Sequence, residues 1–330
     1  MQREGIPGVG IAVLVAGDLV WSEGFGYADV QSGRAVCRDT LFRLGSVSKV
    51  LTAAALLRLA DTGVLDPDTD VRTLVPAVSD KPYPISMRQL AGHLGGIRHY
   101  GASEYFNTRR YSSVSEGLRV FVRDSLVSRP GTQYRYSSYG YNLLGAALEA
   151  AAGAPYLDVV RDAVLGPLGL HNMHAESAVE TSPLLATSYS GTRDSLTISP
   201  GFDSSDRWPS GGWVGSAEDA ARLGAALLDP AFLSPAARTL LLQSQRTHTG
   251  DETGASIGVR VERDADGRLL LHHGGTSVGA RAFLLILPDA QMVVAMTGNG
   301  PATFDQRHLV AIVSLFAVPD RDSEPSTGRR

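Results

Sequence analysis

Gly45-Ser46-Val47-Ser48-Lys49 stands between a short extended run, Thr40-Leu41-Phe42-Arg43-Leu44, and a segment from Val50 to about Leu65 whose apolar residues recur with helical spacing. Ser46 is therefore expected in the first turn of a mostly buried helix. There, unpaired backbone N–H groups and the positive end of the helix dipole favour an alkoxide or oxyanion. Lys49 lies one turn along on the same face. A serine hydroxyl is a poor nucleophile until a neighbour takes its proton, and a lysine desolvated in a helical core can do so because burial lowers its pKa. The same letters also describe a helix cap followed by a solvated lysine, and the pair alone leaves both readings open.

Composition favours the base. Among thirty Lys and Arg residues only Lys49 and Lys81 are lysines. Arginine would supply charge beside Ser46 but stays protonated in a protein, whereas lysine can release its proton.

Outward from this stretch, 330 residues at 43% hydrophobic and 19% charged describe a globular chain with ample core, long enough for one large domain or two interleaved ones. A formal charge of −4 and the lack of a basic cluster give no reason to expect a nucleic-acid partner. Cys37 is the single cysteine, so no internal disulfide framework forms. No run approaches the apolar length of a membrane span. As written, Met1–Gly5 leads straight into a strand without a signal-peptide pattern. That suits a cytoplasmic protein, or an exported one whose leader has been removed. From Pro319 to Arg330 the composition is that of a disordered tail.

Val9–Val15 and Leu19–Tyr27 flank Ala16-Gly17-Asp18 and predict a hairpin. Thr62-Gly63 ends the Ser46 helix, and Asp66–Val78 is turn-rich. From Lys81 to Ala186 helical patterns dominate, over Met87–Leu94, Ser115–Leu126, Tyr141–Ala152 and Tyr156–Val164. Ser188–Ser210, rich in Ser, Gly and Pro, is expected to cover or border the site. Helices follow at Ala217–Leu228 and Pro235–Leu242. Strands then return at Ile257–Arg263, Leu269–His273, Arg281–Leu287 and Gln291–Thr297, with a last helix at His308–Phe316. The fold class is α+β: an antiparallel sheet assembled from both chain ends and flanked by helices, with an inserted, mainly helical lobe. The division is a sheet domain over 1–80 and 205–318, a helical insertion over 81–204 and a tail over 319–330.

Two further constellations carry hydroxyls and imidazoles. Tyr134-Arg135-Tyr136-Ser137-Ser138-Tyr139-Gly140-Tyr141-Asn142 precedes the apolar run Leu143–Leu148; its phenols suit packing, or one of them reaches Ser46 and Lys49 as a proton carrier. His272-His273-Gly274-Gly275-Thr276 ends one predicted strand, where paired glycines let a substrate backbone approach. A histidine there suits anion binding or proton transfer, or it is incidental to a surface hairpin.

Ser46-Val47-Ser48-Lys49, Tyr136-Ser137-Ser138 and His273-Gly274-Gly275 resemble, in order and separation, the three motifs of the penicillin-recognising serine hydrolases related to class C β-lactamases. Within that group the chain is most similar to the LACTB proteins. The likeness runs from Gly5-Ile6-Pro7-Gly8 through Val20–Val30, His93–Tyr100 and Tyr136–Tyr141 to Val278–Pro288. The resemblance implies the β-lactamase/transpeptidase-like fold and an acyl-enzyme on Ser46, with Lys49 and Tyr136 sharing the roles of base and proton donor. It implies an oxyanion hole from the backbone N–H groups of Ser46 and Thr276, and substrate contacts at Ser138, His273, Gly274 and Gly275. No metal or organic cofactor is implied. The partner is a small-molecule or peptide substrate, and the resemblance leaves room for self-assembly, since LACTB relatives include filament formers.

Two residues depart from the common pattern. Ser138 replaces an asparagine, and Gly274 replaces a hydroxyl residue that would bond a substrate carboxylate. Arg281 is a candidate replacement anchor for that carboxylate. The expected activity is peptidase, amidase or esterase; a class C-type β-lactamase or D-Ala-D-Ala carboxypeptidase, and a filament-forming scaffold, are the alternatives.

Other motifs are set aside. Gly254-Ala255-Ser256-Ile257-Gly258 spells a nucleophile elbow but lacks the strand before and the helix after it. His248-Thr249-Gly250 lies in a polar loop. His171 and His174 share no third metal ligand, and His93 reads as structural.

Overall fold

A computed structural model describes residues 5–101, 104–177, 182–192, 195–301 and 304–316. The tail expected over 319–330 lies outside the described residues, as do Met1–Glu4. The strands are β1 (Gly8–Val15), β2 (Asp18–Asp29), β3 (Arg34–Ala35), β4 (Phe42–Arg43), β5 (His174–Ala175) and β6 (Tyr189–Thr192). They continue with β7 (Ser195–Ile198), β8 (Trp213–Gly215), β9 (Arg260–Arg263), β10 (Leu269–Ser277), β11 (Ala280–Leu287) and β12 (Met292–Gly298). The helices are α1 (Ser48–Asp61), α2 (Met87–Ala91), α3 (Val114–Gly117), α4 (Ser138–Ala152) and α5 (Tyr156–Val160). After them come α6 (Gly166–Leu168), α7 (Trp208–Gly211), α8 (Ala217–Ala226), α9 (Pro235–Leu242) and α10 (Gln306–Phe316).

The large sheet is ordered β3-β2-β1-β12-β11-β10-β9 and is antiparallel throughout. β1 pairs directly with β12, Val9 opposite Gly298 and Val15 opposite Met292, so the sheet is closed by the two ends of the chain. β1 is buried along nearly its whole length because it lies in the middle and both of its faces are covered. Alternation sorts its residues. Ala12 and Leu14 join Leu284, Ile286, Val293 and Ala295 on the face packed against the helices. Val9 and Val13 join Leu285, Val294 and Met296 on the other face, which Leu309 and Val313 of α10 seal.

α1 is buried on every side from Ser48 to Leu57 and α4 from Ser138 to Leu148. Such helices belong to an interior. The cluster that contains them also takes in Ala12 and Leu284, so helices and sheet share one core. No single helix among the described residues is long and apolar enough to cross a membrane; α4 and the next helical stretch pass together on composition but bend by 82°.

Several boundaries differ from the sequence expectation. The end of α1 does not: it stops at Asp61, at the expected Thr62-Gly63, where Gly63 at φ +73° turns the chain away. Ser115–Leu126 forms only α3 and a 3₁₀ turn over Leu118–Val120. There the chain is tied down by Arg98 on Asp124 at 2.6 Å and by Val127 N–H on the Gly96 carbonyl, contacts a longer helix would break. The stretch expected to be helical also contains β5, paired with β8, and the Ser- and Gly-rich segment after it forms the β6–β7 hairpin. β10 runs on through His273-Gly274-Gly275 to Ser277, because the turn is made by Gly279 at φ +66°.

Candidate active site

β4 delivers the chain into a 3₁₀ turn, Gly45–Val47, immediately before α1. Ser46 therefore sits just outside α1 rather than in its first turn. Its Oγ lies 3.1 Å from Lys49 Nζ and accepts a hydrogen bond from the Tyr136 phenol at 2.8 Å. Lys49 is fully buried. Its Nζ reaches three oxygens: Ser46 Oγ, Ser138 Oγ at 3.1 Å and the Ser210 carbonyl at 2.6 Å. Among the described residues no carboxylate pairs with it, and burial holds its pKa well below that of a free lysine.

The partners of Nζ constrain its protons. A carbonyl only accepts, so one N–H belongs to Ser210; a neutral amine keeps one more N–H and one lone pair for the two hydroxyls. Ser46 Oγ already accepts from Tyr136, so its own proton is free to point at the Lys49 lone pair. Tyr136 is buried too, and burial raises its pKa. The neutral amine and the neutral phenol are thus the favoured forms.

The phenol is held by the start of α4. Ser137 caps that helix, its hydroxyl accepting from Gly140 N–H at 2.8 Å and donating to the Arg98 carbonyl at 2.7 Å. His93 Nδ1 accepts from Ser137 N–H at 3.2 Å, and its ring lies 4.4 Å from that of Tyr136. Burial keeps His93 neutral. His99 Nδ1 takes the next amide, Ser138 N–H, at 3.1 Å. On the opposite side α7 is tied to α1 by adjacent carbonyls: Ser210 accepts from Lys49, and Pro209 accepts from Thr52 Oγ1 at 2.7 Å.

β10 forms the third wall. A Cβ on Gly275 would stand 2.0 Å from the Leu44 carbonyl oxygen and 3.3 Å from Ser46 N; one on Gly45 would stand 2.7 Å from the Thr276 carbonyl oxygen. Real side chains do not fit there. These two glycines let the Ser46 turn lie directly on the strand, which brings the backbones of Ser46 and Thr276 together. The sequence expectation gave Gly275 a different task, the approach of a substrate backbone. Gly274 and Thr276 face the cavity, whereas Gly275 is buried.

The cavity in front of Ser46 has a volume of about 330 Å³, at the small end of small-molecule sites. Besides Ser46, Tyr136, Ser138, Gly274 and Thr276, its wall includes His99, Tyr100, Tyr105, Phe202, Arg207 and Ser210. The last three come from the stretch expected to border the site or just inside it. Arg207 carried no local signal as a wall residue. Its guanidinium is buried, paired with Asp206 at 2.8 Å and bonded to the Tyr105 and Glu104 carbonyls at 2.9 and 3.2 Å.

Arg281 is not among the cavity-lining residues; its guanidinium turns back onto the carbonyls of Ala280 and Ser277 at 3.0 and 3.4 Å. His273 also stays out of the wall. Its Nδ1–H donates to the Gly274 carbonyl at 2.8 Å, and burial pushes its pKa down to about 3, so it carries no charge near neutrality. Ser256 is buried, its hydroxyl spent on the Leu241 carbonyl. His248 lies in a loop tied to Gly131, and His174 bonds the Asn172 carbonyl. Among the described residues no group of three potential metal ligands occurs.

Known proteins share this arrangement's fold. The human mitochondrial serine beta-lactamase-like protein LACTB is 28% identical over 86% of this chain and 69% of its own length. The solved structure of EstCE1, a hydrolase with promiscuous acyltransferase activity, superposes with TM-score 0.77 at 26% identity over 90% of each chain. An octameric penicillin-binding protein homologue from Pyrococcus abyssi superposes with TM-score 0.83 at 24% identity, covering 96% of this chain and 74% of that one. The beta-lactamase family profile matches residues 1–315, and the chain belongs to the beta-lactamase family, whose members are serine hydrolases, peptidases and amidases among them.

Proposed function

We propose that this protein hydrolyses uncharged esters or amides through an acyl-enzyme on Ser46. The observation that carries the reading is Lys49: a buried amine 3.1 Å from Ser46 Oγ, without a carboxylate partner among the described residues. As Ser46 Oγ bonds to the substrate carbonyl carbon, its proton passes to Lys49 Nζ. The carbonyl oxygen, now negative, is received by the N–H groups of Ser46 and Thr276; losing one such donor costs on the order of 10²–10³ in rate. Tyr136 gives its proton to the leaving group as the bond to it breaks. In the second half, water loses a proton to the Tyr136 oxygen and attacks the acyl carbon. Ser46 Oγ leaves and recovers its proton from Lys49. Every proton is returned, and no cofactor is needed.

The wall chemistry favours neutral substrates. Asp206 neutralises Arg207, Gly274 offers no hydroxyl, and the hydroxyl of Ser138 faces Lys49. A β-lactam carboxylate would find no free cation among the cavity-lining residues. The likeness to LACTB, a serine beta-lactamase-like protein, and to EstCE1, a hydrolase with promiscuous acyltransferase activity, supports the reading. In this reading residues 81–204 form an insertion that brings Tyr136 and Ser138 over the Ser46 carried by 1–80 and 205–318. Because one relative is octameric, self-assembly belongs to the proposal, and light scattering across concentrations tests it.

The decisive experiment is labelling by a fluorophosphonate, which should modify the wild type and not Ser46→Ala. p-Nitrophenyl esters and amides should be turned over faster than nitrocefin. Hydrolysis that survives in Ser46→Ala would overturn the mechanism; nitrocefin as the best substrate would favour the β-lactamase alternative.

A further inference from the structure

His99 is exposed on the cavity wall beside Ser46, Tyr136 and Ser138. Its ring stands edge-on to Tyr136 at 5.5 Å and lies 4.8 Å from Tyr100, so aromatic neighbours flank it. One nitrogen is committed: Nδ1 accepts the Ser138 amide proton, and an acceptor nitrogen carries none of its own. The neutral ring must then bear its proton on Nε2. That nitrogen has no protein partner among the described residues. Ser138 Oγ accepts a hydrogen bond from Lys49 Nζ at 3.1 Å.

We propose that His99 is a substrate-contacting residue whose Nε2–H donates a hydrogen bond to an acceptor on the acyl part of the substrate, so that acyl groups carrying a carbonyl near the scissile bond are preferred over hydrocarbon ones. The inference rests on the Ser46 acyl-enzyme reading. The backbone amide of Ser138 fixes the tautomer, and partial desolvation of the ring lowers the His99 pKa, which favours the neutral form. A ring flipped or protonated at Nδ1 would lose the Ser138 contact, so the donor is pre-set rather than selected by the substrate. A site that offers a donor discriminates against an analogue lacking the acceptor, since the donor is then left unpaired.

The test uses two p-nitrophenyl esters of equal acyl length, N-acetylglycinate and pentanoate, each corrected for its spontaneous hydrolysis. Wild type should favour the N-acetylglycyl ester in kcat/KM. His99→Asn places an oxygen near the position of Nδ1, holding Ser138 N–H, and removes the outer donor; it should cut the ratio between the two esters by about tenfold. His99→Gln, whose amide reaches the position of Nε2, should restore part of that ratio. Equal losses on both esters, or an unchanged ratio in His99→Asn, would overturn the proposal. The fluorophosphonate labelling rate of each variant is read alongside. Labelling that does not depend on Ser46 defeats the acyl-enzyme reading; intact labelling with an unchanged ester ratio defeats only the role of His99.

Discussion

At the scale of single residues, Lys49 is a buried amine held by three oxygen contacts, with a lowered pKa, placed where a base is needed. Lys49→Met keeps the stem and removes the amine, so it should lower kcat on neutral esters by about 10³-fold with a melting temperature close to wild type. Lys49→Arg should lose similar activity and also melt earlier, because a guanidinium that cannot deprotonate would be buried without a counter-charge. Enzyme assays and thermal melts on the pair separate base loss from misfolding. Tyr136→Phe should reduce kcat by about 10²–10⁴ with little change in KM. The pH profile follows from the same groups. The amine must be unprotonated, so kcat/KM falls as pH drops through a Lys49 pKa that lies well below 10.5, while the raised pKa of Tyr136 puts the alkaline limb above 10. A rate that keeps climbing past pH 10.5 on a neutral ester would contradict the lowered Lys49 pKa, and an alkaline limb below pH 10 would contradict the raised Tyr136 pKa.

Elements matter through how closely they approach one another. The 3₁₀ turn and β10 lie in backbone contact, a spacing set by two absent side chains. Gly275→Ala would force its Cβ against the Leu44 carbonyl, and Gly45 at φ +49° is strained for any other residue besides. Gly275→Ala should cost about 1–3 kcal/mol in urea unfolding and more than tenfold in activity, since separating the two strips also separates Ser46 N from Thr276 N. Gly274→Ala meets only ring atoms of Phe283 at 3.3 Å and should be far milder in the same measurements. The start of α4 is a second such element. Ser137 and Ser138 present successive amides to two imidazoles, which orient Tyr136 from behind.

For the whole molecule, the buried histidines link stability to pH. His93 and His273 are held neutral, His273 with a pKa of about 3 against 6.5 when unfolded. Between those values the unfolded chain binds the extra protons, so stability falls as pH drops below about 6.5 and continues to fall towards pH 3. Melting curves from pH 7 to pH 4 should show this decline, and it should be shallower in His273→Gln. Asp206→Asn tests the other long-range feature. It leaves the Arg207 guanidinium buried without its carboxylate, and a loss of about 3–5 kcal/mol is expected from urea unfolding.

Much of this was legible in the chain alone. The serine, lysine and tyrosine that meet at the cavity follow from residue type, spacing and resemblance. So do the terminal strands that form one sheet, because alternation and helical periodicity are local consequences of backbone geometry. Where elements met was not legible. Arg281 was the sequence candidate for anchoring a carboxylate, but its guanidinium bonds the carbonyls of its own hairpin. Arg207, silent in the sequence, lines the cavity with its charge already matched. The work of Gly275 and the tautomer of His99 depend on atoms more than thirty residues away in the chain. The sequence by itself determined which chemical groups the chain can bring to a site; only the tertiary structure decided which of them are desolvated, paired or left free, because burial and contact are properties of packed neighbours rather than of the residue.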